Sequence, residues 1–156
     1  MEEEKLTESM HMENLSQFPC LKEGDLVVTG LRGVMTYLNI KGKAPTIHPR
    51  KARVLAMQQY WIQVLNEKFE PLLDDITNRK SDVEKVLGHL DSSLKEKDYI
   101  VDEFTLADIH WAAAFKSLIE NGQSDVISGF ENIKTWLERI KSEIPSFDAV
   151  AEKAAA

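Results

Sequence analysis

The side chains in this sequence that could do chemistry are one cysteine, four histidines and a few carboxylates set close to hydroxyls or to cations. A cysteine nucleophile needs a neighbouring base or cation to hold its thiolate. Cys20 follows Phe18 and Pro19 in a short apolar run with no histidine close to it in sequence, so a small half-buried packing residue is expected there. His11, His48, His89 and His110 form no i, i+4 pair with one another or with the cysteine. The spacing of a metal site is therefore missing, and no metal is expected. Asp74-Asp75 followed by Arg79-Lys80 reads as a solvated helix end and turn. No Ser-His-Asp order and no phosphate-binding glycine loop stands out.

The stretch "FTLADI" carries chemistry of a different kind. Thr105 can cap a helix by accepting a hydrogen bond from the Asp108 amide, while the Asp108 carboxylate reaches back to the Thr105 amide and favours the positive helix end. Phe104 before the cap and Ile109 four residues into the helix have the spacing of a hydrophobic staple. The helix that follows is apolar on nearly every side, which places it at the centre of a core. On it stand His110 and Trp111.

The elements that would position these groups follow from the apolar periodicity. Leu31, Val34, Met35 and Leu38 form one helical stripe, and Val83, Val86, Leu87, Leu90 and Leu94 another. A long helix is expected from about His48 to Asn78, with Val54, Met57, Trp61, Val64, Leu65 and Phe69 inward. Pro71 should kink it by crowding the carbonyl of Glu67. Glu131 to Ser142 makes a further helix through Ile133, Trp136, Leu137 and Ile140, ended by Ile144-Pro145. A short closing helix through Phe147 and Val150 is expected beyond it. Earlier in the chain, "FPCL" and "DLVV" separated by "KEG" read as two strands of a hairpin. Two strands alone make no stable sheet, so they must lie against a helix, the nearest being Leu31 to Ile40.

Composition narrows the functional classes. The 156 residues are 43% apolar, enough for one core, and acidic residues outnumber basic ones by 26 to 19 with the basic ones scattered. No electrostatic footprint for nucleic acid is present. No apolar run is long enough to span a bilayer, and the acidic start "MEEEKLTESM" is unlike a targeting signal. A cytoplasmic protein, with neither nucleic acid nor membrane as partner, is the expectation.

Two stretches carry a family resemblance. "YIVDEFTLAD" is similar to the start of the central helix in the all-helical C-terminal domain of the glutathione transferase superfamily, and "NLSQFPCLKEGDLVVTGLRGVMTYL" resembles a degraded copy of the end of that family's thioredoxin-like first domain. The match runs from about Asn14 to Phe147. The resemblance implies a mainly α fold, a glutathione-transferase-like helical bundle over residues 48–153 with a remnant ββα of a thioredoxin-like domain over residues 1–42. It places Phe18 and Pro19 where the family has the residue and cis-proline that bind the cysteinyl part of glutathione. It places His110 and Trp111 beside the cleft for the electrophilic substrate.

The departures point elsewhere. The family's Glu-Ser pair, which holds the γ-glutamyl end of glutathione, falls on Gly30 and Leu31, which have no polar side-chain atoms. The family's sulfur-activating Tyr, Ser or Cys lies well upstream of the proline, and only eighteen residues precede Pro19 here. The expectation is a non-catalytic module that binds other proteins, as shortened copies of this fold do in translation factors and synthetase complexes, or that pairs with itself. Arg50, Arg53, Arg79 and Arg139 are candidates for such a surface. The alternative is a glutathione S-transferase, as a fragment or variant form, with glutathione as substrate and no tightly bound cofactor.

Overall fold

A computed structural model of the chain describes residues 19–42, 49 and 51–144. Phe18, His11, His48, Arg50, Phe147 and Val150, named above, lie outside the described residues. The chain divides into two units, Met1–His48 and Pro49–Ala156.

In the first unit, β1 (Cys20–Glu23) and β2 (Leu26–Thr29) pair antiparallel, with Leu21 opposite Val28 and Glu23 opposite Leu26. The reversal at Gly24-Asp25 uses Gly24 at a positive φ of 61°, a backbone state glycine enters without strain. Helix α1 (Leu31–Lys41) covers the hairpin and buries Val34. A Cβ on Gly33 would stand 2.8 Å from Cγ1 of Val28, so the missing side chain lets the helix approach the strand. The far end is tied by charge: the Tyr37 hydroxyl and the Lys41 ammonium both donate to the carboxylate of Glu23.

The second unit is built of helices. Helix α2 (Ala52–Val64) passes into one π-helical turn (Leu65–Phe69) and a 3-10 segment (Glu70–Asp75), and helices α3 (Lys80–Leu94), α4 (Leu106–Glu120) and α5 (Glu131–Glu143) follow. Trp61, Phe69, Leu87, Leu90, Trp111, Phe115, Ile133 and Ile140 form a core closed to solvent. Its rings touch in series. Phe69 lies 5.2 Å from Trp111, Trp111 5.7 Å from Phe115, and Phe115 6.1 Å edge-on to Trp136, all within the range of favourable aromatic pairs.

The expected single helix from His48 to Asn78 is instead three segments, and the change of geometry begins at Leu65, ahead of Pro71. The indole N–H of Trp111 donates to the carbonyl of Trp61 at 3.0 Å, and the Leu65 amide is shared between the carbonyls of Trp61 and Ile62. A side chain inserted into the ladder loosens it locally. Pro71, which has no amide hydrogen, then falls in the first turn of the 3-10 segment, where none is needed. Met57, expected inward, is 39% exposed, because the buried stripe of α2 runs through Val54, Gln58, Trp61 and Ile62.

Helix α5 has no side-chain cap of its own. Asp91, on α3, supplies one: its carboxylate accepts from the Ile133 amide at 3.0 Å and from Nδ2 of Asn132 at 2.8 Å. Asp91→Ala is expected to lower stability by about 1 kcal/mol in a denaturant titration. Gly88, mid-helix in α3, has no atom within 4 Å of where a Cβ would stand. Gly88→Ala is expected to raise stability by about 0.5–1 kcal/mol in the same measurement.

Candidate functional site

The residues that the resemblance assigns to glutathione lie in the first unit. The carbonyl of Pro19 is occupied within the chain, accepting from the Gly30 amide at 2.9 Å. Gly30 precedes α1 at φ 81°, ψ 144°, a region that side chains other than glycine's enter only under strain. Leu31 opens the helix. No carboxylate or hydroxyl is carried at these two positions. Cys20 is half-buried at the start of β1.

In the second unit, Thr105 and Asp108 form the capping box at the start of α4. The Asp108 carboxylate accepts from the Thr105 amide at 2.9 Å and the Thr105 hydroxyl at 3.1 Å, and Thr105 Oγ1 accepts from the Ala107 amide at 3.3 Å. Two further donors reach Asp108 from elsewhere, the Ile100 amide at 2.9 Å and the indole N–H of Trp136 at 3.0 Å. The carboxylate thus joins the segment before α4, the α4 start and α5. Burial pushes its carboxyl above the ordinary 3.8, and the four hydrogen bonds pull the other way without cancelling it. Phe104 and Ile109 are both half-buried, and the ring of Phe104 lies 5.6 Å edge-on to Tyr99.

Trp111 is a core residue, with no exposed surface and its only donor taken by Trp61, so no face of it remains for a substrate. His110, beside it, is half-buried. Two of the surface arginines are paired with carboxylates, Arg79 with Asp82 on the next turn at 3.6 Å and Arg139 with Asp98, in the segment before α4, at 2.8 Å, while Arg53 is exposed. Asp74 and Asp75 are exposed, and Asp75 accepts from Nδ2 of Asn78 at 2.9 Å. Among the described residues no group of three or more His, Cys, Asp or Glu side chains is placed to hold a metal ion, and no helix is long and apolar enough to cross a membrane.

Sequence reasoning missed a second cluster. Nε2 of His89, on α3, lies 2.9 Å from the hydroxyl of Tyr60, and its ring stacks on Trp61 with centroids 4.9 Å apart. Tyr60 and His89 are 29 positions apart, so spacing alone gives no sign of the pair. Another clasp joins the segment before α4 to α5: the Tyr99 hydroxyl donates to both oxygens of Glu143, at 2.9 and 3.0 Å, and that bond with the carboxylate pushes the phenol above its ordinary range.

Residues 53–143 match the family described as glutathione S-transferase, C-terminal domain. A glutathione S-transferase of Hyoscyamus muticus is 23% identical over 142 residues, covering 77% of this chain and 67% of its own length. Among solved structures, glutathione S-transferase 1-6 of Anopheles dirus species B superposes with a TM-score of 0.79 at 20% identity, covering 96% of this chain and 77% of that one. A diazinon-metabolizing glutathione S-transferase of the silkworm Bombyx mori gives 0.78 at 15% identity, covering 95% and 76%. The chain belongs to the glutathione S-transferase C-terminal domain family, and its fold is that of the glutathione transferases.

Replacing Asp108 by Asn sets an amide NH2 against at least one of the donors now satisfied, so Asp108→Asn is expected to lower stability by about 1–3 kcal/mol. The sign with pH follows from the raised carboxyl. The folded chain holds this proton more tightly than the unfolded one, so the contribution of Asp108 is full below the ordinary carboxylate range and declines as pH rises through the raised value. Urea titrations should show a larger cost of the substitution near about pH 4 than near about pH 7.

Proposed function

We propose that this glutathione-transferase-fold chain serves in the cytoplasm as a non-catalytic module that binds another protein or a second copy of itself. The observation that carries the reading is Gly30. The fold sets this position at φ 81°, where a glutamate would cost about 1–3 kcal/mol of backbone strain. Strain of that kind persists where a site needs it. Here glycine relieves it, and the carboxylate that the family resemblance places at this position goes with it. Leu31 removes the companion hydroxyl. An unanchored glutathione would also be poorly oriented for attack, and orientation supplies much of the acceleration in such conjugations.

The second reading, conjugation of glutathione to small electrophiles, draws on the relatives, which are glutathione transferases by name. Phe18 and Pro19 would then receive the cysteinyl part of glutathione, with His110 near the electrophile.

Titration calorimetry of reduced glutathione into the full chain separates the two. No saturable heat at millimolar ligand, from a folded sample, is the expected result. A dissociation constant below about 1 mM, roughly 4 kcal/mol of binding, would replace the module by a transferase. Restoring both side chains, as Gly30→Glu with Leu31→Ser, tests the cause. A gain of glutathione heat in that variant attributes the missing binding to the lost anchor.

A further inference from the structure

A pit of about 620 Å3 opens on the second unit, between the start of α3 and the connection that leads from α4 to α5. It shares no residue with the positions assigned to glutathione or to its electrophile, and its volume lies within the range of small-molecule sites. Val83, on α3, is buried beneath it, and Ile76, Val126 and Phe130 stand half-buried around it. The body of the pit is therefore apolar, with one aromatic ring in its wall.

The charged groups at its edge are not equivalent. Lys80 and Glu84, one turn apart on α3, are paired with each other at 3.9 Å. Asp125 stands on the opposite wall, and no cation of the described residues pairs with its carboxylate. Within the fold Asp125 is bonded through its backbone: its carbonyl accepts from the Ser128 amide at 3.2 Å and from the Ser128 hydroxyl at 2.8 Å. That leaves the carboxylate exposed and uncommitted. The positive ends of α3 and α5 each already carry a carboxylate in the first turn, Asp82 and Glu131, which offsets them. Two carboxylates and one ammonium thus line a pit in a chain of formal net charge −7, so both the near and the distant field favour a cation. An apolar hollow with an aromatic wall and an unpaired carboxylate at its edge suits a ligand that is apolar along its body and cationic at one end.

We propose that the pit between α3 and the α4–α5 connection is a binding site for a small amphipathic amine in its protonated form, an aryl-alkyl or short-chain ammonium. The apolar body lies against Val83, Val126 and Phe130. The ammonium is held by Asp125. The site requires neither bound glutathione nor the protein-binding role proposed above.

The test is calorimetry of 2-phenylethylamine, protonated at neutral pH, against the full chain, with uncharged 2-phenylethanol and anionic 3-phenylpropanoate as controls. The amine should bind saturably with a dissociation constant below about 1 mM, and the alcohol at least about fivefold more weakly. Asp125→Asn, an exposed side chain whose loss leaves the core untouched, should weaken the amine about tenfold without moving the alcohol, and added salt should weaken the amine in the unaltered chain. Lys80→Gln, which removes the competing ammonium and frees Glu84, should tighten the amine about twofold. Circular dichroism should be unchanged in both variants. Equal binding of amine and alcohol, tighter binding of the propanoate, an affinity unmoved by Asp125→Asn, or no saturable heat from a folded sample would overturn the assignment. So would a chain that sediments as a dimer which Asp125→Asn converts to monomer, since the carboxylate would then receive a lysine of a second copy.

Discussion

A single buried carboxylate carries the organisation of the helical unit. Asp108 has no exposed surface, and its two oxygens take four donors from three parts of the chain. Two of them, the amides of Ile100 and Thr105, belong to the segment that leads into α4 and would otherwise be buried donors without acceptors, a costly condition. The third is the hydroxyl of Thr105, which itself caps the helix. The fourth, from Trp136, fixes how α5 meets α4. Taking a carboxylate out of water is unfavourable by itself, as its raised carboxyl records. The fold tolerates that cost because the alternative is several unpaired groups in the same place.

Around this point the other connections act in parallel. Asp91 reaches from α3 to the start of α5, the Tyr99–Glu143 and Asp98–Arg139 pairs hold the segment before α4 to the α5 helix, and the rings from Phe69 to Trp136 fill the space between. The buried bonds matter more than the surface ones. An exposed ion pair such as Asp98–Arg139 is screened and contributes little, whereas a buried amide without a partner is a large penalty.

Much of this was legible in the sequence where the signal was local. "FTLADI" shows the capping box because both partners stand within four residues, and the apolar stripes of α3 and α5 show their buried faces because a helix repeats every few positions. The hairpin followed from the two short apolar runs on either side of "KEG", and α1 from the helical stripe of Leu31, Val34, Met35 and Leu38. What escaped was set by contacts distant in sequence. The bond from Trp111 to the Trp61 carbonyl spans 50 positions, and nothing near Leu65 announces that the helix will widen there. The pairing of Tyr60 with His89 and the cap that Asp91 lends to α5 are of the same kind. Met57 and Gln58 illustrate the remaining limit. Val54 and Trp61 are buried as the periodicity expects, but between them the stripe passes through Gln58 at i+4 and not through Met57 at i+3, a choice that spacing alone does not make. The position of Gly30 was read as a loss of side chains, while its backbone conformation could be known only from the structure.

The widened turn after α2 has a further consequence. On its inner side it is held by an indole hydrogen bond deep in the core, and on its outer side the same backbone presents Glu67 and Lys68. One turn of helix therefore faces two environments, and its pitch is set from within. The outer face of the turn is thus tied to the interior: a change at residue 111, beyond the reach of anything in solvent, acts on the same backbone that places the Lys68 ammonium.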